Sequence, residues 1–197
     1  MSPRMVGTRT RGRPPMGLRM GPLLGLIFLG LTWAAGGASE LEAQDHAAFL
    51  EQLAGVWTGE AAATLGPGQD PVRYESRETA RQVGNWLVAE STGTTSAGVP
   101  FTGILTLGYD PAREEFVATW IDSAQTHLWS YAGTLDESGT ALTLETEGPF
   151  MGDPTTTTEY RVVLQIEDDG RKVQRSLILG PDGEWFEFSR VEFRRIE

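Results

Sequence analysis

GYDPAREEFVATWIDS, residues 108–123, contains a strand end, a tight turn and a second strand in one short run. Asp110-Pro111 sets a type I turn, because Asp accepts local backbone hydrogen bonds and Pro presets φ at the second turn position. The strand that follows alternates with period two. Glu115, Val117, Thr119 and Ile121 share one side, and Phe116, Ala118, Trp120 and Asp122 share the other. The first set begins with a charge and is turned outward. The second set then carries a large aromatic and a carboxylate inward near the strand's far end. An inward carboxylate needs a partner or water. The stretch specifies architecture and names no reaction.

The same alternation extends in both directions. Val72 to Val83, Trp86 to Thr92 and Phe101 to Tyr109 alternate upstream; Thr126 to Thr134 and Ala141 to Glu147 follow downstream. Thr156 to Glu167 is the cleanest strand, with Tyr160, Val162, Leu164 and Ile166 set against Glu159, Arg161, Gln165 and Glu167. Asp168-Asp169-Gly170 marks a hairpin turn before Arg171 to Leu179, and Pro181-Asp182-Gly183 marks another before Glu184 to Phe193. Helical periodicity is absent after residue 55. About ten strands joined by short turns form the meander of an all-β protein, and short connections favour antiparallel neighbours in up-and-down order.

Ahead of the strands, Asp45 to Ala54 reads as a short helix capped by Asp45, with Phe49, Leu50 and Leu53 as its apolar stripe and His46 in its first turn. Residues 1–43 read as a secretory signal and residues 44–197 as the folded domain. Arg4, Arg9, Arg11, Arg13 and Arg19 form a basic start, Leu23 to Ala35 an apolar core, and cleavage is expected after Ala38 or Ala43. The apolar run is short for a bilayer span of about 20 residues. The expected product is exported, periplasmic or extracellular, and keeps no stable membrane anchor after cleavage.

Beyond residue 43 the chain carries 11 basic and 25 acidic residues, a net charge of −14. This excess argues against a nucleic-acid partner, which demands a basic face. It suits a self-repelling chain, monomer or dimer. There is no cysteine, so disulfides, thiolate nucleophiles and zinc–thiolate sites are excluded. The single lysine, Lys172, is expected in an exposed turn.

Gly55-Val56-Trp57 opening the first strand after a short helix resembles the start of the calycins, the lipocalin-like barrels. The whole run from about His46 to Arg195 is similar to the bacterial DUF1579 family, whose members have no established function. The shared text is HAAFLEQLAGVWTGE, NWLVAESTG, PFTGILTLGYD, TWIDS and GPDGEWFEFSRVEFRR. The resemblance implies a calycin-like β-barrel and supplies no catalytic residue. Two stretches depart from the family: Thr94 to Val99 lacks its methionines, and Gly148 to Thr158 is rich in threonine. Related haem-binding barrels take their ligand from a late histidine. No His follows His127 here, so no haem, and no other cofactor, is expected.

A barrel of this size can enclose a small molecule. The expected ligand-binding set is Trp57, Trp120 and Trp129 for contact area, with Asp122, His127 and Glu90 orienting the ligand's polar end. His127, Trp129 and Tyr131 are read as sharing one strand face, and Glu90 as pointing inward between Val88 and Thr92. Arg81 or Arg175 is the expected partner of an inward acid. The sequence contains no nucleophile elbow, zinc-protease helix, phosphate loop or dinucleotide fingerprint. The leading expectation is a binder of a small apolar or amphipathic molecule. Two alternatives stand beside it: a barrel enzyme built on Asp122 and His127 within about 3 Å of each other, and a structural or dimerising module.

Overall fold

The computed structural model describes residues 36–64, 66, 68–95, 98–151 and 153–197. One helix, α1 (Gly36–Leu53), precedes ten strands: β1 (Gly55–Ala63), β2 (Val72–Val83), β3 (Trp86–Thr94), β4 (Pro100–Asp110), β5 (Glu115–Asp122), β6 (Trp129–Leu135), β7 (Ala141–Phe150), β8 (Asp153–Ile166), β9 (Lys172–Leu179) and β10 (Trp185–Arg195). Each strand pairs antiparallel with its sequence neighbours, and β1 also pairs with β10, so the sheet closes into an up-and-down barrel.

The alternation expected of β5 holds. Phe116 and Ala118 are buried while Ile121 is exposed. The turn before it is held as its composition implies: Asp110 Oδ1 accepts from Ala112 N at 2.9 Å, and Asp110 O accepts from Arg113 N at 3.2 Å. A bulge in β10 between Glu187 and Ser189 shifts its register against β9. A bulge re-aims side chains locally.

The helix is longer than expected. It begins at Gly36, and Asp45 lies inside it as an exposed residue instead of capping it. The preceding GGASELEAQ contains no proline and is rich in Ala, Leu and Glu, which are good helix formers. Both expected cleavage positions, Ala38 and Ala43, therefore fall in helical backbone. The basic and apolar parts of the expected signal lie outside the described residues.

The C-terminal turns of α1 close one end of the barrel. Phe49, Leu50 and Leu53 are buried against Leu87, Ala89, Leu107, Phe116, Leu142, Leu144 and Leu164. Burying each such side chain contributes about 1.5–3 kcal/mol. His46 stacks on Tyr109 at 3.8 Å and meets the Phe116 ring edge-on at 5.2 Å, sealing the rim of this plug. The β2–β3, β4–β5, β6–β7 and β8–β9 turns lie at the same end. The β1–β2, β3–β4, β5–β6, β7–β8 and β9–β10 connections lie at the other.

Glu114, in the β4–β5 turn, sits at φ 54°, the left-handed region. For an L-residue this conformation costs about 1–2 kcal/mol, whereas glycine loses only about 0.5–1 kcal/mol in extra chain entropy. Glu114→Gly is expected to raise the unfolding free energy by about 0.5–1 kcal/mol, read from urea denaturation. A lower midpoint would show that Glu114 makes a compensating contact.

Candidate functional site

The plug fills only part of the interior. Above it lies a cavity of about 330 Å³, and toward the unplugged end an adjoining vestibule of about 1040 Å³. The two share Tyr74, Phe101, Asp122, Gln125, Met151, Phe188 and Ser189. The inner chamber has two chemically different sides. Phe101 (β4), Trp120 (β5), Trp129 and Tyr131 (β6), Leu144 (β7) and Tyr160 (β8) make an aromatic and apolar arc. Ser76 and Glu78 (β2), Ser91 (β3), Gln174 and Ser176 (β9) and Ser189 (β10) make a polar arc across the seam where the barrel closes. The β10 bulge lets the consecutive residues Phe188 and Ser189 both line the chamber.

The aromatic arc is a packed set. Trp120 stands opposite Trp129 in the β5–β6 register. The Trp129 ring lies 4.9 Å from Tyr160 in an edge contact and 6.5 Å from Tyr131. The indoles can lie against the wall because the next strands are bare there: a Cβ at Gly103 would collide with Trp120, and one at Gly148 with Trp129. Tyr160 donates its hydroxyl to Pro149 O at 2.6 Å. Burial, then the nearby Tyr160 and Asp122, push the Tyr131 phenol above the ordinary tyrosine range.

The polar arc rests on a buried ion pair. Glu78 is 5% exposed and Lys172 3%. Lys172 Nζ donates to Glu78 Oε1, and Ser91 Oγ donates to Glu78 Oε2 at 3.4 Å. Lys172 also lies over the Phe193 ring at 4.2 Å and the Trp57 ring at 4.9 Å, cation–π contacts that partly replace its lost hydration. Desolvation lowers the Lys172 pKa from the usual lysine value, opposed by Glu78. The exposed-turn expectation for Lys172 is thus corrected. The turn ends before it, and as first residue of β9 it pairs with Ile166 and Phe193, facing in. Lys172 pairs with Glu78, whereas Asp122, the inward acid expected to take Arg81 or Arg175, forms no ion pair among the described residues and accepts from Trp120, Ala124 and Gln125.

The expected site residues divide. Trp120, Asp122 and Trp129 line the cavity. Asp122 holds the wall and its loop: it accepts from Trp120 Nε1 at 2.9 Å, Ala124 N at 2.8 Å, Gln125 N at 3.1 Å and Gln125 Nε2 at 2.7 Å. Trp57 lines neither space. It is fully buried with Ala61, Val191 and Phe193, donates Nε1 to Leu53 O at 3.0 Å, and lies between Lys172 and Arg195. Glu90 points outward and is exposed, because Leu87, Ala89 and Ser91 take the inner face of β3. Trp86, the apparent anchor for the opposite parity, packs on the outside, where a Cβ at Gly108 would meet it. His127 precedes β6 in the β5–β6 connection, its ring against the edge of Trp129 at 4.6 Å, and lines neither space. Among the described residues no hydrogen bond or ion pair joins it to Asp122. Sequence reasoning missed Ser76, Glu78 and Ser91. Their signal was the shared parity of Tyr74, Ser76, Glu78 and Ala80 on β2.

The family model described as "Protein of unknown function (DUF1579)" matches residues 42–195. No curated protein matches the chain in sequence. Solved structures that share its barrel include the following two. Rv2717c from M. tuberculosis superposes with a TM-score of 0.53 at 16% identity, over 75% of this chain and 95% of that one. The S-type phycobiliprotein lyase CPES from Guillardia theta superposes with a TM-score of 0.52 at 14% identity, over 81% of this chain and 98% of that one. At these identities the likeness is one of fold.

Two outcomes follow from the chamber's electrostatics. Lys172→Met alone strands a buried carboxylate and is expected to lower stability by about 3–5 kcal/mol, whereas Lys172→Met with Glu78→Leu recovers most of that loss. A double-mutant cycle in urea measures both, and equal losses in the single and double variants would contradict the pairing. The raised Tyr131 pKa favours the neutral phenol in the folded state. Its stabilisation is therefore full below the unfolded value of about 10 and is lost as pH rises through the higher folded value. Burial raises the Tyr160 phenol too, so ultraviolet titration should show late-ionising tyrosines of which Tyr131→Phe removes one.

Proposed function

The chain belongs to the DUF1579 family, and we propose that this member is a binding protein that holds a small apolar or amphipathic molecule inside its barrel. The observation that carries the reading is the chamber of about 330 Å³ with an aromatic arc on one side and a polar arc on the other. A concave, mostly apolar space with a few convergent polar groups is the general form of a small-molecule site. One end is plugged by α1 and the other opens through the vestibule, so a ligand has a single route and a defined depth. Trp120, Trp129 and Tyr160 supply contact area, and Glu78, Ser76 and Ser91 replace Glu90 and His127 as the groups that meet the polar end. The likeness in fold to a phycobiliprotein lyase lends support. Residues 1–43 act in this reading as an export signal, and the barrel works in the periplasm or outside the cell.

Asp122 has no place as a general base in this reading, because its four hydrogen bonds hold Trp120 and the turn that follows it.

Native mass spectrometry of the protein, expressed with its N-terminal segment and recovered from the exported fraction, should show a mass that denaturation removes. Trp120→Ala should weaken binding of that molecule, or of a neutral apolar fluorophore, by about tenfold or more. Glu90→Gln and His127→Ala, both outside the cavity, should stay within about twofold. A protein that carries no ligand and binds no apolar fluorophore would reject the proposal.

A further inference from the structure

The chamber's polar side is more than a wetted wall. Ser76, Glu78 and Ser91 are 9%, 5% and 8% exposed, all three line the cavity, and they sit together across β2 and β3, Glu78 directly opposite Ser91. Ser76 Oγ is buried and has no hydrogen-bond partner among the described residues. Glu78 Oε1 is taken by Lys172, while Oε2 receives only the long 3.4 Å bond from Ser91. A buried hydroxyl without a partner forfeits its hydrogen bonds to water, and a half-used carboxylate oxygen keeps accepting capacity. The two residues that carry this missing hydrogen-bond pair therefore line the same space.

We infer that the chamber selects an apolar molecule carrying one neutral hydroxyl group, seated with that hydroxyl between Ser76, Ser91 and Glu78. The inference rests on the binding function proposed above and specifies its ligand class. Charge decides the class. Glu78 and Lys172 already cancel each other where both are withdrawn from bulk solvent. A ligand carboxylate would place a second anion beside Glu78 in low dielectric, and a ligand ammonium would compete with Lys172 and leave a net positive charge. A hydroxyl adds no charge. It donates to Glu78 Oε2 and accepts from Ser76 Oγ, satisfying both with one atom. The tail then runs along Trp120, Trp129 and Tyr160 toward the vestibule.

The test is displacement of the neutral fluorophore Nile red from the full-length protein by four compounds with the same ten-carbon tail: 1-decanol, decyl methyl ether, undecanoate and decylamine. The ether is the most apolar and would win on burial alone. Decanol is expected to displace at a concentration about threefold to tenfold below the ether, the worth of one well-made hydrogen bond, and below both ions. Glu78→Leu with Lys172→Met, which removes the acceptor, should erase the alcohol's advantage, whereas Ser76→Ala removes a donor that both oxygens can use and should weaken alcohol and ether alike. An ether that matches or beats the alcohol, or an advantage that survives loss of the Glu78 carboxylate, overturns the hydroxyl assignment while the binding function stands. Nile red that never binds overturns both.

Discussion

The pairing of β1 with β10 is what gives this molecule an inside. Trp57 to Ala63 lie opposite Arg195 to Ser189 without a break in register. Past the last strand, Ile196 N donates to Val56 O at 2.8 Å and Val56 N to Glu197 O at 3.0 Å. Arg195 ties the seam to the helix: its guanidinium lies over Trp57 at 4.2 Å, and Nη2 donates to Gln52 O at 2.6 Å. An open sheet would leave two strands with unpaired backbone groups at its edges. Closure removes both edges and converts the pleat of every strand into an inner and an outer set.

What occupies the interior then follows from side-chain volume. At the α1 end, leucines and phenylalanines from six elements interdigitate at full density with the helix stripe. Toward the other end the inward positions become smaller or flatter. The inner face runs from Ala80 to Ser76 on β2 and from Leu87 to Ser91 on β3, and glycines at 103 and 148 accept indole rings against the wall. The chamber exists because large side chains lie along its wall instead of across it. Met151 remains exposed on the β7–β8 connection at this end and lines both spaces.

The Glu78–Lys172 pair joins these two features. It lies beside Trp57 and Phe193 at the seam, and Glu78 lines the chamber. Taking two charges out of water is costly, and a hydrophobic pair of similar volume is often as stable. A pair that serves stability alone is therefore weakly explained. One that also presents an acceptor to a cavity has a use in binding.

The strands, their turns and the sidedness of β5 were legible in the residues, because period two and turn chemistry are local properties. Phe116, Trp120 and Asp122 face in as their alternation requires. Trp129 faces in as well, although His127, read as its strand neighbour, belongs to the connection. Alternation alone left the sign of β3 undetermined. Trp86 suggested one parity, but a tryptophan is also accommodated outside a sheet when a glycine such as Gly108 lies beneath it, so Glu90 was turned the wrong way. Lys172 and Glu78 are 94 positions apart. The burial of each depends on the other's charge, and no window of sequence contains both. The same holds for Trp57, which is removed from the cavity by cations contributed by β9 and β10. The sequence by itself determined which residues alternate and where the chain turns, since these depend on neighbours in the chain. Only the tertiary structure decided which charges are buried, which aromatics line a space and which merely fill one, since these depend on partners that closure brings together.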